Sequence, residues 1–185
     1  LRKILKKNNI LLIEDAAEAL GCFYKGKALG TFGDAGILSF NGNKIITTGG
    51  GGAIILNSKK MLKYAYHLSN NAKIKKKNDI IHDMIGFNYR MPSINASLGI
   101  SQLQKIHKYL KLKKKLHLFY KNLFDNSDFK LLKPIKECKS NYWLNTIVIN
   151  NNIKIKDNLI NLSLKNKFYV RPLWKPINEL EPFKK

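Results

Sequence analysis

Acidic side chains, cysteine and long apolar runs are all scarce in this chain of 185 residues. Only 12 Asp and Glu oppose 34 Lys and Arg, so the formal net charge is +22. A charge of this size can attract nucleic acid or an anionic membrane surface. Lys, Asn and Ile are used heavily along the whole chain while Arg is rare, and we therefore interpret the charge as a general compositional bias. We expect no nucleic-acid partner, although the positive potential would favour an anionic substrate.

The two cysteines, Cys22 and Cys138, are far apart and belong to no redox or metal-binding motif. This usage is typical of a reducing compartment, and we expect a cytoplasmic protein. The apolar runs are too short to cross a bilayer, and the basic start is followed by only a short apolar run before two acids. We therefore expect neither a membrane span nor a signal peptide. The spacing of the histidines predicts no metal site.

One lysine stands out by its position. Lys44 lies between two predicted buried strands, 36–40 and 53–57, and four glycines follow it at 49–52. An ammonium held in a partly dry environment tends to lose its proton, and a neutral amine is what a carbonyl compound needs to form a Schiff base. Taken alone, Lys44 could equally be an ordinary surface lysine in a loop. The glycines favour a tight turn over a phosphate cradle, because they match neither of the common phosphate-binding patterns.

Asp15 gives Lys44 a chemical partner. An apolar run predicts a buried strand over 10–14, and Asp15 stands at its carboxyl end. Ligands bind beyond the carboxyl ends of strands in open α/β sheets, so we expect Asp15 and Lys44 to face the same crevice. An amine nucleophile and an acid are the minimal set for pyridoxal phosphate (PLP), because the acid keeps the pyridine nitrogen protonated. The alternative for Asp15 is an N-cap of a helix that starts within 16–19, and both roles are compatible.

The remaining pattern predicts an α/β fold followed by a smaller α+β unit. We place the division between residues 1–104 and 105–185, with one long helix over about 94–124 as the connection and Ser93 as its cap. Residues 70–83 are polar and are expected to form a mobile loop. The other predicted elements are the end of a helix within 1–9, a helix over 59–69 capped by Ser58, a strand over 142–149, a helix over 157–166 and a strand over 168–170.

Five sequence blocks follow one another along the chain: Ile13-Glu14-Asp15-Ala16-Ala17-Glu18-Ala19-Leu20-Gly21, Gly30-Thr31-Phe32-Gly33-Asp34, the run from Ser39 through Lys44 to Gly52, Gly86-Phe87-Asn88-Tyr89-Arg90-Met91 and Arg171-Pro172-Leu173-Trp174-Lys175-Pro176. In this order they resemble the DegT/DnrJ/EryC1/StrS family of PLP-dependent sugar aminotransferases. The resemblance implies a fold type I PLP-dependent transferase, here the end of the large α/β domain plus the small C-terminal domain. Family members are much longer, so we expect this chain to be a fragment that matches their C-terminal half.

The resemblance implies a role for each matching residue around the cofactor. Lys44 would hold PLP as a Schiff base and shuttle protons, and Asp15 would pair with the pyridine nitrogen. Glu18 stands where the family usually has glutamine, near the phenolic oxygen of the ring. Ser39 would donate a hydrogen bond to the phosphate. Asn88 would reach the phosphate of the neighbouring subunit, which implies a homodimer with shared active sites.

The resemblance also implies the substrates. Arg90, Arg171 and Trp174 are candidate substrate contacts. The implied reaction moves an amino group from an amino acid, glutamate, to a nucleotide-linked 4-keto-6-deoxy sugar, for surface polysaccharide or glycan biosynthesis. The run Asn41-Gly42-Asn43-Lys44 looks most like the branch that aminates C4 of UDP-linked sugars. Two alternatives remain: a PLP-dependent sugar dehydratase of the same fold, which carries histidine in place of the lysine, and a basic binding module or inactive fragment.

Overall fold

A three-stranded mixed sheet organises the first part of the chain in the computed structural model, which describes residues 1–77, 79–149 and 153–184. Strand β1 (Ile13–Asp15) pairs in parallel with β4 (Ala35–Ser39), and β4 pairs antiparallel with β5 (Gly52–Leu56). Between β1 and β4 the chain forms a small hairpin of β2 (Phe23–Tyr24) and β3 (Lys27–Ala28). The strands predicted over 36–40 and 53–57 are confirmed, each displaced by one residue.

Strand β1 is shorter and more exposed than predicted. Ile10 and Leu11 lie outside the strand and are 53% and 69% exposed, and Ile13 within it is 65% exposed. On the same face of the sheet, Ile37 and Ile54 are also exposed. The prediction of a buried strand over 10–14 is therefore wrong. Its apolar content indicated burial, but β1 is an edge strand, and Ile13, Ile37 and Ile54 stay exposed on this face of the sheet.

Two hydrogen bonds to the side chain of Glu14 hold the connection between β1 and β4 against the sheet. The Glu14 carboxylate accepts the backbone N–H groups of Gly30, at 3.0 Å, and Gly33, at 2.5 Å. Gly36 is packed so closely that an added Cβ would stand 2.0 Å from the carbonyl oxygen of Gly30. The block with Gly30 and Gly33 thus has a structural role, which is to fix β4 beside β1.

Helix α1 (Arg2–Lys7) precedes the sheet along the chain, helix α2 (Lys59–Ser69) contacts β5, and both confirm the predicted elements. The Ser58 hydroxyl accepts the N–H of Met61 at 3.4 Å and so caps α2 as expected. The helix predicted to start within 16–19 is wrong, because these residues form turns. The N–H of Ala19 donates to the carbonyl oxygen of Ala16, which closes a single turn with no continuation.

Residues 70–83, predicted to be a mobile loop, contain a hairpin. Strand β6 (Lys73–Lys76) pairs antiparallel with β7 (Asp79–His82). Two contacts close its base: His67 Nε2 lies 2.6 Å from Asp83 Oδ1, and His82 Nδ1 lies 2.6 Å from the carbonyl oxygen of Asn71. The prediction of a loop is wrong because these residues pair as two short strands, whereas their lysine-rich composition indicated a solvated loop.

The long helix predicted over 94–124 is two helices, α3 (Ser93–Gln104) and α4 (Ile106–Phe124), which meet at Lys105. The two helices have different partners, since Gly99 of α3 lies against the methyl group of Thr48 whereas α4 packs on the core cluster described below. Ser93 is the first helical residue and does not cap α3 with its side chain, so that prediction is also wrong.

The last part of the chain holds short strands and one further helix. Strand β8 (Lys130–Leu131) pairs with β10 (Ile147–Val148), whereas β9 (Cys138–Lys139) pairs with β2. The predicted strand over 142–149 is reduced to β10. The helix predicted over 157–166 is confirmed as α5 (Ile153–Lys165), and the strand predicted over 168–170 is absent because these residues pair with no other described strand.

The hydrophobic core joins both parts of the chain. Its centre is Ile45, Ile46 and Trp143, and side chains of α4 pack around it together with Leu20 and Phe40. The division at 104/105 remains a prediction, and the core and the β2–β9 pair both cross it. Across the three described ranges no helix combines the length and the apolar content that a membrane crossing requires.

Candidate active site

Lys44 is followed by two side chains of the hydrophobic core, which anchor its backbone. It lies in the connection between β4 and β5, and its N–H donates to the carbonyl oxygen of Asn41 at 3.1 Å. Ile45 and Ile46, which follow directly, are 9% and 1% exposed in the core. A turn fixed by two core residues holds the backbone of Lys44 in one place, so its side chain leaves from a defined point.

The Lys44 ammonium is shielded between a carboxylate and an aromatic ring. Nζ lies 3.1 Å from Glu18 Oε1 and 4.1 Å from the centroid of the Trp143 ring. The Lys44 side chain is 14% exposed and that of Glu18 is 50% exposed. A cation over an indole face gains about 0.5–2 kcal/mol, and a partly exposed ion pair about 0.2–1 kcal/mol. Lys44 is therefore not an ordinary surface lysine.

Asp15 and Ser39 lie at the carboxyl ends of β1 and β4, on one face of the sheet. Asp15 is paired with Ile37, and Ser39 follows Ile37 by two residues, so the three side chains point to the same side. The Asp15 carboxylate accepts the N–H of Ala17 at 3.1 Å, and the Ser39 hydroxyl accepts the N–H of Asn41 at 3.3 Å. The predicted role of Asp15 as a helix N-cap is therefore wrong, because the residues directly after β1 form turns and not a helix, and its carboxylate closes a turn instead. The acid in contact with Lys44 is Glu18 and not Asp15.

The glycine-rich stretch forms a tight turn that is locked by neighbouring polar groups. Gly49 and Gly51 have φ values of +79° and +92°, which glycine adopts without strain. Thr48 is 2% exposed, and its hydroxyl donates to the carbonyl oxygen of Gly50. The Asn95 side chain of α3 donates to the carbonyl oxygen of Thr48 at 2.5 Å. The stretch forms the tight turn that the sequence predicts.

Asn88 and Arg90 lie on an exposed loop beside the end of α2. Asn88 forms an isolated bridge with Asn70, and the Arg90 guanidinium stands 5.1 Å from the ring centroid of Tyr66. In the part of the chain that the structure describes, the contacts recorded for these two residues are local and do not include Lys44. Their predicted roles toward cofactor and substrate remain predictions.

Arg171 and Trp174 are joined to Lys44 through Trp143. The rings of Trp143 and Trp174 are nearly parallel, with centroids 6.3 Å apart and an angle of 12° between their planes. The Arg171 guanidinium lies 4.6 Å from the Trp174 ring centroid. A cavity of about 870 Å³, lined mainly by apolar side chains, borders Asn43, Arg171 and Trp174. The structure thus places these two candidates in one stack with the lysine.

Sequence reasoning missed two residues that build the site. Trp143 was assigned to a strand, yet its ring lies under Lys44, and its indole N–H donates to the carbonyl oxygen of Asn43 at 2.5 Å. Asn141 is 4% exposed and donates to the carbonyl oxygens of Glu18, at 2.8 Å, and Leu20, at 3.0 Å. No local pattern could have shown these contacts, because the partners are about 100 residues or more apart along the chain.

The cysteines are free thiols, and in the described residues no group of His, Cys, Asp or Glu could hold a metal ion. Burial raises the pKa of the Cys22 thiol, although the Asn141 N–H, which donates to Cys22 Sγ at 3.3 Å, opposes the rise. A thiol with a raised pKa is a weak nucleophile near neutral pH.

Both the sequence and the fold match known proteins. The model of the DegT/DnrJ/EryC1/StrS aminotransferase family matches residues 1–185. GDP-perosamine synthase of Vibrio cholerae is 31% identical over 181 residues, which is 97% of this chain and 49% of that protein. The structure of Helicobacter pylori PseC, an aminotransferase involved in the biosynthesis of pseudoaminic acid, matches with a TM-score of 0.89 at 29% identity, over 99% of this chain and 50% of that one.

A third match is to Spr1654 of Streptococcus pneumoniae in its PLP form, with a TM-score of 0.87 at 25% identity, over 98% of this chain and 48% of that one. The chain spans about half the length of the curated relatives it matches.

Proposed function

The chain belongs to the DegT/DnrJ/EryC1/StrS aminotransferase family, and on that premise we propose that it carries the catalytic lysine of a PLP-dependent sugar aminotransferase. The reaction moves an amino group from an amino acid, glutamate, to a nucleotide-linked 4-keto-6-deoxy sugar for glycan biosynthesis. The names of two relatives support this substrate class: a GDP-perosamine synthase of Vibrio cholerae and an aminotransferase of Helicobacter pylori involved in the biosynthesis of pseudoaminic acid. The match to fold type I aminotransferases confirms the predicted fold.

The observation that carries the proposal is the environment of Lys44. Its side chain is 14% exposed and leaves from a turn next to the core, and its amine contacts both a carboxylate and an indole face. A lysine that only solubilises a surface needs none of these contacts. An amine that must meet a carbonyl carbon in one geometry needs all of them, because positioning is a large part of its rate advantage.

The chemistry of the residues present fits PLP. An amine, a carboxylate and a hydroxyl come from Lys44, Asp15 and Ser39, and the last two lie on one sheet face at the carboxyl ends of neighbouring parallel strands. When bound, PLP supplies an electron sink that stabilises negative charge at the amino acid Cα. Lys44 Nζ would hold the cofactor covalently and, once released, carry the proton. Asp15 would keep the pyridine nitrogen protonated, and Ser39 would donate to the phosphate.

The other site residues complete the proposal. Glu18 faces the Lys44 amine and would border the phenolic oxygen of the cofactor. Asn88, on an exposed loop, would reach the phosphate in a second copy, so the proposed assembly is a homodimer with shared active sites. Arg90, Arg171 and Trp174 would contact the substrate, where two guanidinium groups suit an anionic nucleotide. The free thiols of the chain favour a cytoplasmic location.

The test compares Lys44→Ala with Lys27→Ala in the full protein. Lys27 is a matched control because its ammonium also lies over an aromatic ring, 4.8 Å from the centroid of Phe32. We expect Lys44→Ala to lose both the visible absorbance of lysine-bound PLP and amino transfer to a 4-keto sugar, and Lys27→Ala to keep both. Retention of both by Lys44→Ala would overturn the assignment.

Product analysis separates the two alternatives. Loss of a hydroxyl group from the sugar without gain of an amine would indicate a dehydratase, a chemistry that Lys44 argues against because those relatives carry histidine there. Binding to DNA or RNA with an affinity that falls steeply with salt, in the absence of any PLP binding, would indicate a basic binding module.

A further inference from the structure

Trp143 touches the chain before, at and after Lys44. Its indole N–H donates to the carbonyl oxygen of Asn43 at 2.5 Å, and its ring centroid lies 4.1 Å from Lys44 Nζ. The same ring is 8% exposed and forms the core with Ile45 and Ile46. The Trp143 side chain thus fixes the backbone on both sides of Lys44 and also the end of the Lys44 side chain.

Asn141 connects Trp143 to the loop of Glu18. Its side-chain oxygen accepts the N–H of Trp143 at 2.9 Å. Its amide group donates to the carbonyl oxygens of Glu18 and Leu20, at 2.8 and 3.0 Å. Asn141 is buried, and every polar group of its side chain forms a hydrogen bond. It therefore fixes the position of Trp143 relative to the loop of Glu18. Since Lys44 also contacts the Glu18 carboxylate, residues 141–143 set the geometry between the lysine and its neighbouring acid.

We infer that Trp143, oriented by Asn141, is a positioning residue for Lys44: it determines where the amine stands and shields it from solvent. The inference rests on the proposed function for its catalytic consequence, but the positioning itself exists without cofactor. A lysine side chain has four rotatable bonds, and an amine free to sample them would meet a carbonyl carbon less often in the productive geometry. The indole face restricts that sampling through contact and cation–π attraction.

The competing explanation is that Trp143 is only a core residue. Both explanations predict lower stability when the ring is removed, so stability cannot separate them. They differ in what happens to Lys44. A positioning role predicts that the amine becomes accessible when the aromatic face is lost, and that it stays shielded when a smaller aromatic ring replaces the indole.

The experiment measures reductive methylation of individual lysines in the cofactor-free protein by peptide mass spectrometry. We expect Trp143→Met to raise the labelling rate of Lys44 several-fold relative to Lys27, which serves as the internal reference. Trp143→Phe, which keeps an aromatic face but lacks the indole N–H, should raise it much less. Leu131→Ala is the matched core control, because Leu131 is also 8% exposed, and it should leave the Lys44 rate unchanged.

A second readout uses PLP. In Trp143→Met we expect the rate at which the absorbance of lysine-bound PLP appears to fall by on the order of tenfold, because the amine is no longer held in place. Unchanged Lys44 labelling in Trp143→Met, or an equal increase in Leu131→Ala, would overturn the inference. Absence of lysine-bound PLP in the wild-type protein would instead overturn the proposed function, so the two failures are distinguishable.

Discussion

Replacing Glu18 with glutamine removes the charge that faces Lys44 and keeps nearly the same side-chain shape. In the structure Glu18 Oε1 lies 3.1 Å from Lys44 Nζ, and the amine must leave this carboxylate before it can bond to the cofactor. The Glu18 side chain is 50% exposed, so the pair is worth at most about 1 kcal/mol. Since 1.4 kcal/mol corresponds to a factor of ten in affinity, Glu18→Gln should tighten PLP binding by up to roughly fivefold. Glu18→Gln also removes the repulsion between the Glu18 carboxylate and the phenolate of PLP, which again should tighten PLP binding.

The assay is a titration of the cofactor-free protein with PLP, followed by the absorbance of the lysine-bound form. The chain offers a matched control in Glu137→Gln, because Glu137 pairs with Lys25 at 3.4 Å and its side chain is 48% exposed. The control should leave the dissociation constant of PLP unchanged. Weaker PLP binding in Glu18→Gln would refute the reasoning, because it would show that the carboxylate contributes a favourable contact to the cofactor.

Three further predictions concern the core, a buried thiol and the exposed sheet face. Ile46→Ala should lower the free energy of unfolding by about 2–5 kcal/mol in urea melts, whereas Ile80→Ala, at a position 62% exposed, should change it by less than about 0.5 kcal/mol. Alkylation of Cys22 should require a higher pH than an ordinary thiol and should return to the ordinary range in urea, because burial raises its pKa and so lowers the thiolate fraction. Replacing both Ile37 and Ile54 with threonine should reduce the fluorescence of a hydrophobic dye that binds the protein. An unchanged signal would show that the dye does not bind this face of the sheet.

Local elements were predictable where one signal dominated. The strands β4 and β5 and the helix α2 follow directly from apolar runs and the Ser58 cap, since each depends on contacts within a few residues. The hairpin of β6 and β7 was missed because its lysine-rich composition is typical of a solvated loop. The break at Lys105 was missed because the apolar spacing continues through it, whereas α3 and α4 pack against different partners.

The sequence predicted which residues form the candidate site but not how those residues contact one another. The resemblance identified Lys44, Asp15, Glu18 and Ser39 from short blocks. It could not show that Glu18 is the acid in contact with Lys44, because that contact depends on how two loops are brought together. Trp143 contacts the Lys44 turn from 100 residues further along the chain. A contact between residues so far apart produces no local sequence pattern.

The exposed face of the sheet and the candidate cofactor site are one surface. Ile13, Ile37 and Ile54 share this face with Asp15 and Ser39, because residues two apart on a strand and residues paired across strands point to the same side. Three exposed isoleucines on one sheet face are unfavourable in water and are typical of a surface that another layer covers. Any polypeptide that covers them must also border Asp15 and Ser39. Burial of this apolar face and enclosure of the site are therefore the same event, and a change that prevents one must impair the other.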